Sequence, residues 1–164
     1  MKWKKIYNLI LPIFLMTACT AESLKDQLVR QEENFEKYIE RMIATNRLKA
    51  DSVFNNGGVY RLVFTSGEGV EASSGDSVIF HYKAINFNTN RPYDSTDLYP
   101  ERGILGTGRY IRGLEKGLSG MKTNEEAEIL LTGQQAYGNV GMGILPPYAP
   151  ILFEVKMLKV VKNN

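Results

Sequence analysis

The stretch Leu105 to Leu118, L-G-T-G-R-Y-I-R-G-L-E-K-G-L, constrains the fold more than any other part of the chain. Ile111, Leu114 and Leu118 fall at i, i+3 and i+7, one apolar stripe along about two turns of helix. Gly106 and Gly108 stand just before it, where glycine reaches backbone angles other residues avoid. Arg112, Glu115 and Lys116 keep the remaining surface wet. Isolated helices below about 12–15 residues are marginal in water, so this one must lie across a sheet that buries its stripe. The space between helix and sheet is the expected place for function.

The flanking sequence supplies the sheet. Val59 to Thr65 is rich in β-branched and aromatic residues and predicts a strand. Ser77 to Phe87 predicts a longer one, in which Val78, Phe80, Tyr82 and Ala84 share one face and Ile79, His81, Lys83 and Ile85 the other. Ala127 to Thr132 and Pro150 to Val161 predict two more. Residues 94–104 read as irregular, and Gln134 to Tyr148 as a long Gly- and Pro-containing loop. Its Tyr137, Val140, Met142, Ile144 and Leu145 argue for an ordered, functional segment.

The N-terminus has a separate character. Lys2, Lys4 and Lys5 precede an apolar run from Ile6 to Met16 that is short for a membrane span, the pattern of a secretion signal. With those lysines removed, the 20 basic residues drop below the 18 acidic ones, and no basic patch argues for nucleic acid. Cys19 is the only cysteine, so it has no internal disulfide partner. Met16-Thr17-Ala18-Cys19 resembles the lipobox of bacterial lipoproteins, with Met16 in place of the more usual leucine. The resemblance implies lipidation at Cys19 and stable membrane anchoring by several acyl chains; the alternative is ordinary secretion with an incidental thiol.

From Ser23, with Asp26 as a capping-box partner, Leu24, Leu28, Phe35, Ile39, Met42 and Ile43 recur at helical spacing through about Leu48. Two readings stay open for this 23–48 helix. One is a stalk or self-association helix; the other is a helix packed back on its own domain. Gln31 and Glu32 interrupt the stripe, which argues against a strict coiled coil. Asn55-Asn56-Gly57-Gly58 is a breaker cluster. It divides the chain into a signal peptide (1–18), a lipid-anchored linker with amphipathic helix (19–57) and a main domain (58–164).

The main domain resembles the FK506-binding-protein class of peptidyl-prolyl isomerases. The blocks that carry the resemblance run in the family's order: F-H-Y-K-A (Phe80–Ala84), P-Y-D-S-T (Pro92–Thr96), I-R-G-L-E-K-G-L (Ile111–Leu118), A-Y-G (Ala136–Gly138) and G-I-L-P-P-Y-A-P-I-L-F-E-V (Gly143–Val155). The resemblance implies an α+β fold, a twisted antiparallel sheet wrapped around one short central helix, here preceded by the N-terminal amphipathic helix. It also implies a pocket that isomerises X-Pro bonds. Asp94, Tyr82 and Tyr137 would be its catalytic residues, and Tyr93, Tyr110, Ile111, Leu114, Ile144 and Phe153 its substrate-binding walls. The Ile111 amide and the Tyr137 hydroxyl would hydrogen-bond the bound chain's carbonyls, while Asp94 orients Tyr82 or the substrate.

No cofactor and no metal are implied, and no metal-ligand cluster or nucleophile–base pair is legible. The partners implied are proline-containing polypeptides and a membrane reached through Cys19. With the anchor, the domain is similar to Bacteroidetes envelope lipoproteins, facing the periplasm from the outer rather than the inner membrane. Three departures from the family pattern bear on the pocket. Leu114 stands where well-studied members carry tryptophan, and Tyr93 replaces a phenylalanine. The segment Asn139–Gly143 is one residue short and lacks a His-Pro pair. Leu114 and the shortened loop favour an alternative reading, a proline-peptide-binding chaperone or assembly module with little turnover.

Overall fold

Ser23 is the N-cap of the first helix, as expected, and Asp26 answers it through the Ser23 hydroxyl. Its Oγ accepts the Asp26 N–H at 3.2 Å and donates to the Asp26 carboxylate at 2.7 Å. Helix α1 then runs Leu24–Ala44. The structure, a computed structural model, describes residues 23–163. Seven strands follow: β1 (Val53–Asn55), β2 (Val59–Thr65), β3 (Ser77–Asn86), β4 (Arg91–Ser95), β5 (Glu101–Ile104), β6 (Glu126–Leu131) and β7 (Ile151–Val161). Helix α2, Arg112–Leu118, lies between β5 and β6.

All pairs are antiparallel, in the order β1-β2-β6-β7-β3-β4, with β5 also on β3. Strand β2 has the limits the sequence predicts. The Asn55–Gly58 breaker cluster forms the turn between β1 and β2, with the Asn56 N–H donating to the Val59 carbonyl at 2.9 Å. Residues 94–104, expected to be irregular, contain β5. Its sequence shows no apolar alternation, and it is held by pairing Glu101–Ile104 with Ser77–Phe80.

Strands β4 and β5 share one edge of β3, at Lys83–Asn86 and Ser77–Phe80 respectively. Thr96 fills the gap between them. Its Oγ1 accepts the Tyr82 N–H at 2.8 Å, and its own N–H donates to the Tyr82 carbonyl at 2.9 Å. His81, on the opposite face of β3 from Tyr82, is half-buried, with Nδ1 2.9 Å from the Thr96 carbonyl oxygen.

The sheet is covered on both faces. The inner face buries Val78, Phe80, Ala84, Ile129, Phe153 and Val155 with Leu114 and Leu118 of α2. Gly117 lets α2 settle close, since a Cβ there would lie 2.4 Å from Ile129 Cγ2. On the outer face, Phe35, Ile39 and Met42 of α1 pack on Tyr60, Leu62, Leu130 and Leu152. The Phe35 ring meets Phe87 edge-on at 4.8 Å and Tyr60 at 5.6 Å. Of the two readings of the N-terminal helix, packing back on its own domain is the one observed, with Phe35, Ile39 and Met42 of its stripe occupied. The expected α+β architecture is the one found.

Candidate active site

Strand β3 sets the first wall. Its inward face carries Phe80, Tyr82 and Ala84 in alternation, and Ala84 pairs with Asp94 of β4 and with Phe153 of β7. Tyr82 is therefore the diagonal neighbour of both on one face. Its hydroxyl donates to the Asp94 carboxylate at 2.7 Å, and its ring meets Phe153 at 5.8 Å. Phe153 and Leu114 are both buried and form the floor. Phe80, behind Tyr82, turns its ring edge-on to Tyr110 at 5.4 Å.

The second wall comes from the start of α2 and from the loop after β6. Tyr110 and Ile111 lead into α2 and are half-buried against the core, as are Tyr93 and Tyr137. The Ile111 N–H has no acceptor among the described residues. Gly113 N–H donates to the Gln135 carbonyl at 3.0 Å, which ties the helix start to the loop carrying Tyr137. The Tyr93 and Tyr137 rings meet edge to face, centroids 6.4 Å apart. The Tyr93 hydroxyl is buried beside that of Tyr137 and meets no partner in good hydrogen-bond geometry.

Burial, reinforced by the hydrogen bond to Asp94, pushes the Tyr82 phenol above its ordinary range. Burial does the same for Tyr93, helped by Tyr137, and for Tyr110, helped by the Glu101 carboxylate. All three remain neutral O–H groups near neutral pH.

The structure thus brings together Tyr82, Tyr93, Asp94, Tyr110, Ile111, Leu114, Tyr137 and Phe153. Ile144 stands apart, 75% exposed, while its neighbour Leu145 is buried. Gly141 and Gly143 have positive φ, and Met142 and Leu145 exchange backbone hydrogen bonds of 3.1 and 2.9 Å. That tight turn directs Leu145 inward. Cys19 lies outside the described residues.

Glu101 escaped sequence reasoning. Its Oε1 accepts from Arg109 Nε at 3.0 Å, from Arg109 Nη2 at 2.7 Å and, at 3.4 Å, from the Tyr110 hydroxyl. Gly103 leaves room for the Tyr110 ring, whose hydroxyl a Cβ there would meet at 2.3 Å. Glu101 and Arg109 come together only through folding, so no local pattern marks them.

A floor of leucine and phenylalanine with aromatic walls and a few polar tips suits an apolar ring held beside an amide. An open groove of about 700 Å³ also lies beside β3 and β4, lined by Phe64, Tyr82 and Pro92 together with the charged Lys83, Glu154 and Lys156.

The comparisons agree with this geometry. Residues 68–158 match the model of the family described as FKBP-type peptidyl-prolyl cis-trans isomerase. FK506-binding protein 1 of Aspergillus oryzae is 32% identical over 115 residues, 63% of this chain and 98% of the relative. The FK506-binding protein of Neisseria meningitidis serogroup B is 33% identical over 106 residues, 63% and 97% of the two chains. Among solved structures, the N-terminal domain of FKBP42 from Arabidopsis thaliana superposes with a TM-score of 0.64 at 26% identity, covering 70% of this chain and 96% of that one. The chain belongs to the FKBP-type peptidyl-prolyl cis-trans isomerases.

Proposed function

We propose that this isomerase works at the cell envelope, tethered by lipid on Cys19, and speeds folding of secreted or outer-membrane chains at their X-Pro bonds. The X-Pro bond turns over a barrier of about 18–20 kcal/mol and takes tens to hundreds of seconds unaided. No covalent step is needed, only a site that favours the twisted amide over the planar one. The proline ring sits on Leu114 and Phe153 between Tyr82 and Tyr93. The Ile111 N–H and the Tyr137 hydroxyl donate to carbonyls of the bound chain, and Asp94 holds Tyr82 in place.

The observation that carries the site is the Tyr82–Asp94 hydrogen bond over a buried apolar floor. Polypeptide clients are supported by exposed apolar side chains on the segments leading off Tyr93 and Tyr137. Leu98, Tyr99, Val140 and Ile144 are 85, 83, 83 and 75% exposed. The same residues favour a second reading, in which the protein holds proline-containing segments as a chaperone with little turnover. The envelope location rests on the sequence around Cys19. Fatty-acid labelling of cells carrying the wild type or Cys19→Ser tests it. Label and membrane retention that Cys19→Ser abolishes support the tether; an unlabelled wild type refutes it.

A further inference from the structure

Four α1 residues are buried, and Gln31 is the polar one among them. It is 6% exposed and lies at a position where the helix's apolar stripe should continue. Both ends of its amide are engaged far away in sequence. Oε1 accepts the Gly133 N–H at 2.8 Å, and Nε2 donates to the Tyr148 carbonyl at 2.9 Å. These two residues bracket the loop that carries Tyr137.

The loop's backbone completes a circuit. The Gly138 N–H donates to the Gly133 carbonyl at 2.9 Å, and the Tyr148 N–H donates to the Gly138 carbonyl at 2.8 Å. Gln31 therefore closes a ring of four hydrogen bonds through Gly133, Gly138 and Tyr148, with Tyr137 adjacent to Gly138. The pinch at its base is tight. A Cβ on Gly133 would lie 2.1 Å from the Tyr148 carbonyl oxygen, and Tyr148 itself holds φ at 56°. Linked hydrogen bonds polarise one another and fix geometry more firmly than separate ones. Phe35, Ile39 and Met42 anchor the same helix to the sheet, so Gln31 extends from a rigid support.

We infer that Gln31 is a positioning residue for isomerisation: from the N-terminal helix it clamps both ends of the 133–148 loop and so fixes Tyr137 over the pocket. The inference rests on the aromatic pocket being the isomerase site. Gln31 thereby positions a pocket residue without touching substrate.

A double-mutant cycle on the full chain, purified in detergent, tests this. Gln31→Met keeps the side chain's length and removes both hydrogen bonds. It is expected to lower kcat/KM on an X-Pro peptide by about tenfold, less than the roughly hundredfold that a full 1 Å misplacement can cost. In a Tyr137→Phe background, where the hydroxyl to be positioned is gone, it should cost less than about twofold. Ile39→Ala, on the same helix face but away from the loop, should lower stability and leave kcat/KM within about twofold. Equal losses in both backgrounds, or none in either, overturn the inference. If Gln31→Met does not fold, Gln31→Asn, which withdraws the amide by one methylene, takes its place in the cycle with the same losses expected in each background. A wild type without turnover overturns both this inference and the functional reading, whereas an active wild type matched by Gln31→Met overturns this inference alone.

Discussion

The Tyr82 hydroxyl donates to the Asp94 carboxylate across 2.7 Å, linking adjacent strands β3 and β4 at the mouth of the pocket. An ionised acceptor makes this bond stronger than a neutral pair would. It also stabilises the protonated phenol, and burial acts in the same direction.

The first prediction is a pH profile. Because the neutral phenol is favoured, Tyr82 keeps its proton through the range where an ordinary tyrosine, with a pKa near about 10, would lose it. On the alkaline side, kcat/KM should stay flat up to about pH 10. A fall centred near the ordinary tyrosine range, absent in Tyr82→Phe, would show that the phenol is not held as described.

Gly117→Ala should destabilise, contrary to helix propensity. In an exposed helix alanine gains about 0.8–1 kcal/mol over glycine. Here the new Cβ would lie 2.4 Å from Ile129 Cγ2 on the sheet, and overpacking of that kind costs about 1–3 kcal/mol. Urea unfolding measures the balance, and a stabilised variant would mean that α2 lies farther from β6.

Phe35 is fully buried between α1 and the outer face, so Phe35→Ala should cost about 3–5 kcal/mol. Deleting residues 23–48 should expose Leu62, Leu130 and Leu152 and leave the domain prone to aggregate. A truncated domain with wild-type stability would instead return α1 to the role of a detached stalk.

How much of this was legible in the sequence depends on where each residue's partner lies. The α2 stripe and strand β2 can be read because their patterns are local. Strand β5 cannot, because it is an edge strand held by β3, with glycine and charge obscuring any alternation. Gln31 looks like a defect in an apolar stripe. It is buried because backbone groups more than a hundred residues away satisfy its amide. A polar residue in mid-stripe is the signal, and only the fold supplies its meaning. Ile144 and Leu145 are hard to tell apart for a different reason. In a turn built on Gly141 and Gly143, neither helical nor strand periodicity says which side chain points inward.

Acid stability should report Asp76. Its carboxylate accepts from Lys162 Nζ at 2.7 Å and from the Ser73 Oγ and N–H at 2.8 Å each. Lys162 foremost, then Ser73, hold its pKa down to about 2. A depressed folded-state pKa adds stability above the unfolded value near about 3.9, and that contribution fades as pH falls through the folded value. Asp76→Asn should therefore be less stable than wild type at pH 7, with the gap narrowing from about pH 4 toward pH 2. A gap independent of pH would contradict the assignment.

The most direct measurement is the cis-to-trans rate of an X-Pro tetrapeptide with the soluble chain starting at Thr20, beside Asp94→Ala and Tyr137→Phe. Clear acceleration by the wild type is expected, with a loss of about tenfold or more in both Asp94→Ala and Tyr137→Phe. A folded wild type that binds proline peptides yet leaves the rate at background, or variants as fast as wild type, would contradict the pocket's role in isomerisation.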